Sequence, residues 1–261
     1  MGKYLIIPDM ERLEESICLA KEYDLGFEVN DFFEPNLQKE PERKEILIQR
    51  YTECERREPF TMHGCFHDVL IFSEDDEIRQ ISEKRAEDSI VTAQRIGAKA
   101  VIFHTNINPA LNAQAYRERW IFCNYHFWMR MCERYPSINI YLENMFEHTP
   151  VLLKELCEKM QDVPNFGVTL DYAHASLFGD DTEVWARELS PYIRHVHIND
   201  HDGVNDLHLA VGTGVIDWKA FLEFRAKYFP EATVLIETSD LQAQRESLKY
   251  LCEKGMIPCQ F

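Results

Sequence analysis

The middle of the chain contains three short, mainly aliphatic runs, INIYLE (residues 138–143), GVTLD (167–171) and IRHVHI (193–198). Two longer runs with helical periodicity separate them, at about 150–161 and 181–190. Strands that alternate with helices in this way pair in parallel, and each helix forms the crossover connection. This stretch therefore predicts consecutive β/α units.

The same alternation extends toward both ends of the chain. Further strands are predicted at 3–7, 26–29, 60–63, 99–104 and 233–237, and further helices at about 10–23, 39–57, 76–96, 112–134, 217–228 and 241–254. Eight strands and eight helices in 261 residues predict a (β/α)8 TIM barrel, as a single domain over residues 1–261. A doubly wound open sheet fits less well, because it usually has about five to seven strands and a GxGxxG motif after the first strand.

The charge balance is strongly acidic, with 28 Lys and Arg against 45 Asp and Glu, a formal net charge of −17. This balance argues against nucleic acid or an anionic membrane surface as a partner. No apolar run reaches the roughly 18 residues of a membrane span, and the N-terminal apolar run is too short for a signal peptide. We therefore expect no membrane partner and a cytoplasmic location. The apolar breadth of the helix at 112–134 leaves room for a contact in a homo-oligomer.

Residues of metal-ligand type gather at the carboxyl ends of the predicted strands and in the loops that follow, where barrel enzymes have their active sites. They are His63, His104, Glu143, Asp171, His174, His197, Asp206, His208 and Glu237. A lone His or Glu at a strand end is more often hydrogen-bonded or solvated. Several buried carboxylates beside imidazoles are costly unless they are paired or bind a cation, so the set predicts a divalent-metal site. Such ligands admit several metals, and we expect zinc or manganese, one to three ions.

The spacing of the ligands adds detail. Asp171 and His174 are three residues apart, so a strand end that turns into a loop can direct them at different metals. Asp206 and His208 are two residues apart, so on an extended segment they share a face.

Three residues are candidates for substrate binding. Glu28 ends the second predicted strand, where it either lines the pocket or is solvated. Phe66 and His67 follow the first candidate ligand, His63, and either stack on and hydrogen-bond a sugar or pack within their loop.

At these residues the sequence resembles the xylose-isomerase-like TIM barrel superfamily, which includes sugar (phosphate) isomerases and epimerases and endonuclease IV. The resemblance covers essentially the whole chain. It rests on the segments FHTN (103–106), YLEN (141–144), TLDYAHA (169–175), HVHINDHDG (195–203), DLHLAVGTGVIDW (206–218) and VLIET (234–238), in this order and spacing.

The resemblance implies two different metal sites. In epimerases such as the D-tagatose 3-epimerase family, one divalent metal is held at the positions of Glu143, Asp171, His197 and Glu237. The two glutamates there act as acid and base through a metal-stabilised enediolate, and His174 would hydrogen-bond a substrate oxygen. In endonuclease IV a three-zinc cluster uses nine ligands, and all nine of those positions are filled here by the set given above.

The chain also departs from both groups. Its loops after the strands carry acids where endonuclease IV needs cations, so a polyanion would be repelled. The Arg usual in the epimerases after the seventh strand is missing from 197–217. The leading hypothesis is an isomerase or epimerase of a small sugar or polyol, with or without a phosphate group. The alternatives are an endonuclease IV-like di- or trinuclear zinc phosphoesterase and a non-catalytic metal- or sugar-binding module.

Overall fold

The computed structural model describes residues 4–258, so the ends of the predicted domain, 1–3 and 259–261, lie outside the described residues. Eight parallel strands close into a barrel in chain order, which confirms the predicted (β/α)8 architecture. The strands are β1 (Tyr4–Ile6), β2 (Gly26–Val29), β3 (Phe60–His63), β4 (Ala100–His104), β5 (Asn139–Glu143), β6 (Phe166–Asp171), β7 (Ile193–Ile198) and β8 (Thr233–Ile236).

Helices surround the barrel within the described range. They are α1 (Leu13–Tyr23), α2 (Pro41–Glu53), α3 (Asp76–Ile96), α4 (Gln114–Arg134), α5 (Val151–Lys159), α6 (Tyr172–Leu177), α7 (Thr182–Leu189), α8 (Trp218–Tyr228) and α9 (Leu241–Glu253). A 3₁₀ helix at Pro35–Lys39 and the short α6 were not predicted, because each is too short to show a helical period. No helix of residues 4–258 is long and apolar enough to cross a membrane.

Local signals in the sequence set where the helices begin and end. The Asp75 carboxylate caps α3 by accepting from the backbone N–H groups of Glu77 and Ile78. Gly97 ends the same helix at a φ of 80°, a left-handed conformation that glycine adopts without steric cost. Asp217 caps α8 through the N–H groups of Lys219 and Ala220. These boundaries fix where each loop leaves the barrel.

The strands are almost fully buried, because the packed barrel interior lies on one face and the helices lie on the other. Polar side chains in this interior are therefore enclosed at the point where the strands end.

Candidate metal centre

The register of the sheet places the candidate ligands side by side. His104 pairs with Glu143 across β4 and β5. Asp171 pairs with His197 across β6 and β7. Glu237 directly follows β8, and its N–H donates to the Ile198 carbonyl at the end of β7. Neighbouring parallel strands thus bring these side chains together at the carboxyl end of the barrel.

Four of the predicted ligands form what we call the inner group: Glu143, Asp171, His197 and Glu237. Their candidate ligand atoms all lie within 4.8 Å of one another. His197 Nδ1 lies 3.3 Å from Glu143 Oε1 and 3.4 Å from Glu237 Oε1. Three of the residues are fully buried and Glu237 is 6% exposed. The group therefore gathers three carboxylates around one imidazole, almost fully removed from water.

The other five ligands lie in two outer groups, the first of which also includes Glu143 of the inner group. The first outer group joins His63 and His104 to the Glu143 carboxylate, and the second joins His174, Asp206 and His208. His63 Nε2 lies 3.4 Å from Glu143 Oε2. The inner group and the two outer groups together contain all nine predicted ligands.

Backbone carbonyls orient three of the outer histidines. The Nδ1 atoms of His63, His174 and His208 lie 2.9, 3.0 and 3.0 Å from the carbonyl oxygens of Gly64, Asn144 and Glu237. Because a carbonyl only accepts, each Nδ1 carries the proton. In the neutral rings the Nε2 lone pairs are therefore directed into the site, which is the arrangement common among metal-bound histidines.

The buried polar atoms of this region fit a divalent cation. Both oxygens of Glu143, Asp171 Oδ2 and His197 Nδ1 have no hydrogen-bond partner among the described residues. The Nε2 atoms of His63 and His104 face each other at 3.1 Å. Buried carboxylate oxygens and ring nitrogens without partners are unfavourable unless a positive charge lies between them. The inner group supplies oxygen and nitrogen donors suited to zinc or manganese.

Electrostatics in the site point the same way. Burial, together with the nearby carboxylates of Glu237 and Glu143, raises the pKa of Asp171 to about 8 despite the presence of His174. Burial opposes charge on His208 as well, but Glu237 and Asp206 outweigh it and raise its pKa to about 10. Bound protons therefore neutralise the surplus negative charge of the carboxylates in the metal-free protein, and a cation would replace these protons.

Helix α6 corrects one sequence expectation. Residues after Asp171 do not turn into a loop, because Asp171 caps α6 and accepts from the His174 N–H at 2.6 Å. The two side chains still reach different groups: Asp171 belongs to the inner group and His174 to the second outer group. A short helix therefore does what the loop was expected to do.

Asp200 anchors the loop that carries the rest of the second outer group. It is fully buried, and its Oδ2 accepts from the indole N–H of Trp218 at 2.9 Å and from the Gly212 N–H at 3.0 Å. Its Oδ1 accepts from the Ile216 N–H at 3.2 Å. The same loop holds His208 at a φ of 48°, a conformation that non-glycine residues seldom adopt. These hydrogen bonds therefore fix the conformation of the loop, in which the candidate ligand His208 has a strained backbone.

A cavity of about 270 Å³ opens directly above the ligands. Its lining comprises Ile7, Asn30, Phe33, His63, Phe66, His104, Met145, His174, Asp206, His208, Glu237 and Ser239, with no Lys or Arg. Phe33 and Phe66 stack at 4.8 Å between ring centroids and form one wall. Sequence reasoning found Phe66 but missed Asn30, Phe33, Met145 and Ser239, because they come from loops without a chemical motif.

Two of the predicted substrate contacts are not among the described residues that line the cavity. His67 is exposed and packs its edge on Phe33, with ring centroids 5.6 Å apart. Glu28 is neither solvated nor among the described residues that line the cavity, because it is fully buried beneath the ligands. Its carboxylate lies 3.0 Å from His197 Nε2 and 3.1 Å from His195 Nε2.

Comparison with known proteins adds a family and several structural likenesses. A family model described as xylose isomerase-like TIM barrel matches residues 19–254. The uncharacterized protein MJ1311 of Methanocaldococcus jannaschii is 27% identical over 201 residues, which cover 74% of this chain and 68% of that protein. The TTHB071 protein of Thermus thermophilus, in a structure described as soaked with ZnCl2, is 25% identical with a TM-score of 0.77, over 96% of this chain and 97% of that one. A D-tagatose 3-epimerase-like protein, 23% identical, gives a TM-score of 0.75 over 98% and 97% of the two chains and shows a shared fold.

Proposed function

Since the chain belongs to the xylose isomerase-like TIM barrel family, we propose that it is a divalent-metal-dependent isomerase or epimerase of a small sugar or polyol. One observation carries this proposal. The inner group places the carboxylates of two glutamates, Glu143 and Glu237, within 3.4 Å of the same His197 nitrogen, below a small cavity. Two carboxylates so placed are suited to take and return a proton on one substrate carbon.

The roles of the residues follow from this arrangement. Zinc or manganese, one to three ions, would be held by the inner and outer groups and would supply positive charge that favours negative charge on a substrate oxygen. Glu237 or Glu143 removes the proton from the carbon beside the carbonyl, and the other glutamate returns it. His174 hydrogen-bonds a substrate oxygen from the cavity wall that it helps to form.

The cavity supports an uncharged substrate. A phosphate group is usually held by Arg, Lys or a set of backbone N–H groups, and the lining has no Lys or Arg. Asn30 and Ser239 offer neutral hydrogen-bonding groups to hydroxyls. The stacked Phe33 and Phe66 offer an apolar wall to the C–H face of a sugar. A neutral sugar or polyol is therefore favoured over a phosphorylated one, and nucleic acid is disfavoured.

The second candidate function is a zinc phosphoesterase with two or three metal ions. The observation in its favour is the pair of outer groups, since a one-metal isomerase needs only the inner four ligands. Multinuclear sites typically serve in-line displacement at phosphorus. The acidic mouth limits such an activity to small phosphoesters rather than nucleic acid.

The test is proton exchange. The protein, loaded with Mn²⁺ or Zn²⁺, is incubated in deuterated water with a panel of neutral ketoses and aldoses and, separately, with phosphomonoesters and phosphodiesters. We expect deuterium at the carbon next to the carbonyl of at least one neutral sugar. Hydrolysis of a phosphoester without any exchange would support the second candidate instead. Saturable sugar binding without exchange would contradict both and favour a binding module.

Cellular location and assembly are separate from this chemistry. The cytoplasmic location and the contact of a homo-oligomer through the helix at 112–134 stay predictions.

A further inference from the structure

Glu28 and His195 are buried beneath the inner group, in contact with each other and with His197. Glu28 on β2 and His195 and His197 on β7 are all fully buried. Strands β2 and β7 are not neighbours in the barrel, so these contacts cross its interior. Thr61 donates to Glu28 Oε2 at 2.6 Å, and His195 Nδ1 lies 2.6 Å from the Thr233 hydroxyl. The Glu28 carboxylate thus accepts a hydrogen bond from Thr61 and lies 3.1 Å from the His195 ring.

Both ring nitrogens of His197 face carboxylates. Nε2 lies 3.0 Å from Glu28, while Nδ1 lies 3.3 Å from Glu143 and 3.4 Å from Glu237. Neither nitrogen has a directed hydrogen bond in this arrangement. These carboxylates are therefore the groups that decide which nitrogen of a neutral imidazole keeps the proton.

The two sides of the ring differ in what they offer a cation. The Nδ1 side has the donors of the inner group and adjoins the cavity through Glu237. The Nε2 side faces Glu28 and His195, which with His197 make a smaller, fully buried group of possible ligands. Of these two groups, the inner group is the one that adjoins the cavity and offers four ligands.

Three of the outer histidines have their rings oriented the other way round. His63, His174 and His208 each turn Nδ1 to a backbone carbonyl, which leaves Nε2 for the site. His197 lies within a strand whose backbone groups are paired in the sheet, so no such carbonyl orients its ring. The Glu28 carboxylate, rather than a carbonyl, lies beside its Nε2 atom.

We propose that Glu28 is a positioning residue of the metal centre: it holds the proton of His197 on Nε2, so that His197 binds the cation through Nδ1. His195 and Thr61 hold Glu28 in place for this purpose. This inference rests on the proposed metal centre and assigns Glu28 neither a ligand role nor a substrate contact. Partners of this kind commonly change metal affinity about 10- to 100-fold.

The first experiment uses the unaltered protein. The chain is labelled with ¹⁵N-histidine, loaded with Zn²⁺, and studied by two-bond ¹H–¹⁵N correlation, with His197 assigned by comparison with His197→Gln. We expect the proton on Nε2 and a metal-shifted Nδ1. A proton on Nδ1, or zinc bound to Nε2 between His197 and Glu28, would overturn the proposal.

The second experiment measures zinc affinity by competition with a chelator. We expect Glu28→Ala to weaken zinc binding about 10- to 100-fold, and Glu28→Gln, which keeps an oxygen acceptor for the Nε2–H, to recover most of the loss. Asn165→Ala is the matched control: Asn165 is a buried side chain that donates to the carbonyls of Cys132, Tyr135 and Ile138, away from the ligands. It should lower stability and leave zinc affinity unchanged.

The outcomes separate two failures. If the unaltered protein binds zinc and Glu28→Ala binds it equally tightly, the role of Glu28 is wrong while the metal centre stands. If the unaltered protein binds neither zinc nor manganese, the proposed metal centre itself fails. Should Glu28→Ala not fold, the spectrum of the unaltered protein still decides the question.

Discussion

The inner group and the second outer group differ in composition, burial and support. The inner group has three carboxylates and one imidazole, while each outer group has two imidazoles and one carboxylate. Inner side chains are at most 8% exposed, whereas the Asp206 and His208 side chains are 27% and 38% exposed. Sheet register positions the inner group, whereas the loop anchored by Asp200 carries Asp206 and His208 of the second outer group. A buried carboxylate-rich site held by strands therefore lies beside a more exposed rim, the second outer group, most of which is carried by a loop.

This difference separates the two candidate functions. Proton transfer between the two faces of a carbon needs only the glutamates of the inner group and one cation. Displacement at phosphorus would use the rim as well, because it needs charge on both the attacking and the leaving oxygen. Changes confined to one group therefore reveal which chemistry the site performs.

The largest expected effect comes from Glu237→Gln in the inner group. The amide keeps the shape of the side chain but does not accept a proton, so we expect substrate proton exchange to fall about 100- to 10,000-fold. Exchange into the sugar in deuterated water is the measurement. Its matched control is His208→Gln in the rim, which should keep exchange within about tenfold of the unaltered protein. Undiminished exchange in Glu237→Gln would exclude the two-glutamate mechanism.

Removal of a rim ligand tests the outer groups. Asp206 lies 3.2 Å from His174 Nε2 and 3.4 Å from His208 Nε2, so Asp206→Ala takes the one carboxylate from the second outer group. We expect metal content to fall by up to one equivalent per chain, while proton exchange persists. Elemental analysis of the variant and the unaltered protein measures the difference. Loss of exchange together with the metal would show that the rim takes part in the isomerase chemistry.

Metal affinity should depend on pH in a defined direction. The pKa of His208 is raised to about 10 by Glu237 and Asp206 in spite of burial, and burial raises the pKa of Asp171 to about 8. Both groups therefore hold protons at neutral pH, and a cation must displace them. Affinity should increase with pH between about 6 and 8, by up to about tenfold per pH unit for each proton released.

Zinc competition titrations across this range, each corrected for the pH dependence of the chelator, provide the measurement. In His208→Gln one of the two protons is absent, so its affinity should rise less steeply. An affinity that is flat or falls with increasing pH would contradict proton displacement.

The smallest expected effect concerns the anchor of the rim. Asp200→Asn replaces one buried acceptor with an N–H₂ group that faces the donors of Trp218 and Gly212 or Ile216. We expect a loss of about 1–3 kcal/mol in the free energy of unfolding, with weaker metal binding in the second outer group. Denaturant unfolding measures the first and elemental analysis the second. Equal loss of metal from the inner and second outer groups would show that the two are not independently supported.

Much of the fold and of the ligand set could be predicted from the sequence. Strand and helix periods alternate clearly, and a polar residue at the end of a buried strand, such as His104 or Asp171, stands out. Parallel register then makes neighbours of residues far apart in sequence, as with His104 and Glu143. Glu28 was misplaced because its partners lie across the barrel, a relation that no spacing in the sequence expresses.

The cavity wall was predicted poorly for a related reason. Asn30 and Phe33 follow β2 in a segment without a chemical motif, and they reach the cavity only through the path of that loop. Helix α6 was missed since six residues show too little periodicity to distinguish a helix from a turn. Loop paths and single-turn helices depend on tertiary packing more than on local sequence.

The central claim is that the carboxyl end of the barrel is a divalent-metal centre. Elemental analysis of protein purified without chelator or metal-affinity resin, then reloaded with Zn²⁺ or Mn²⁺ and desalted, tests it most directly. We predict one to three equivalents per chain in the unaltered protein and a clear loss in a variant with Asp171→Ala and His197→Ala. Metal-free protein after loading with either ion, or equal metal content in that variant, would contradict the claim.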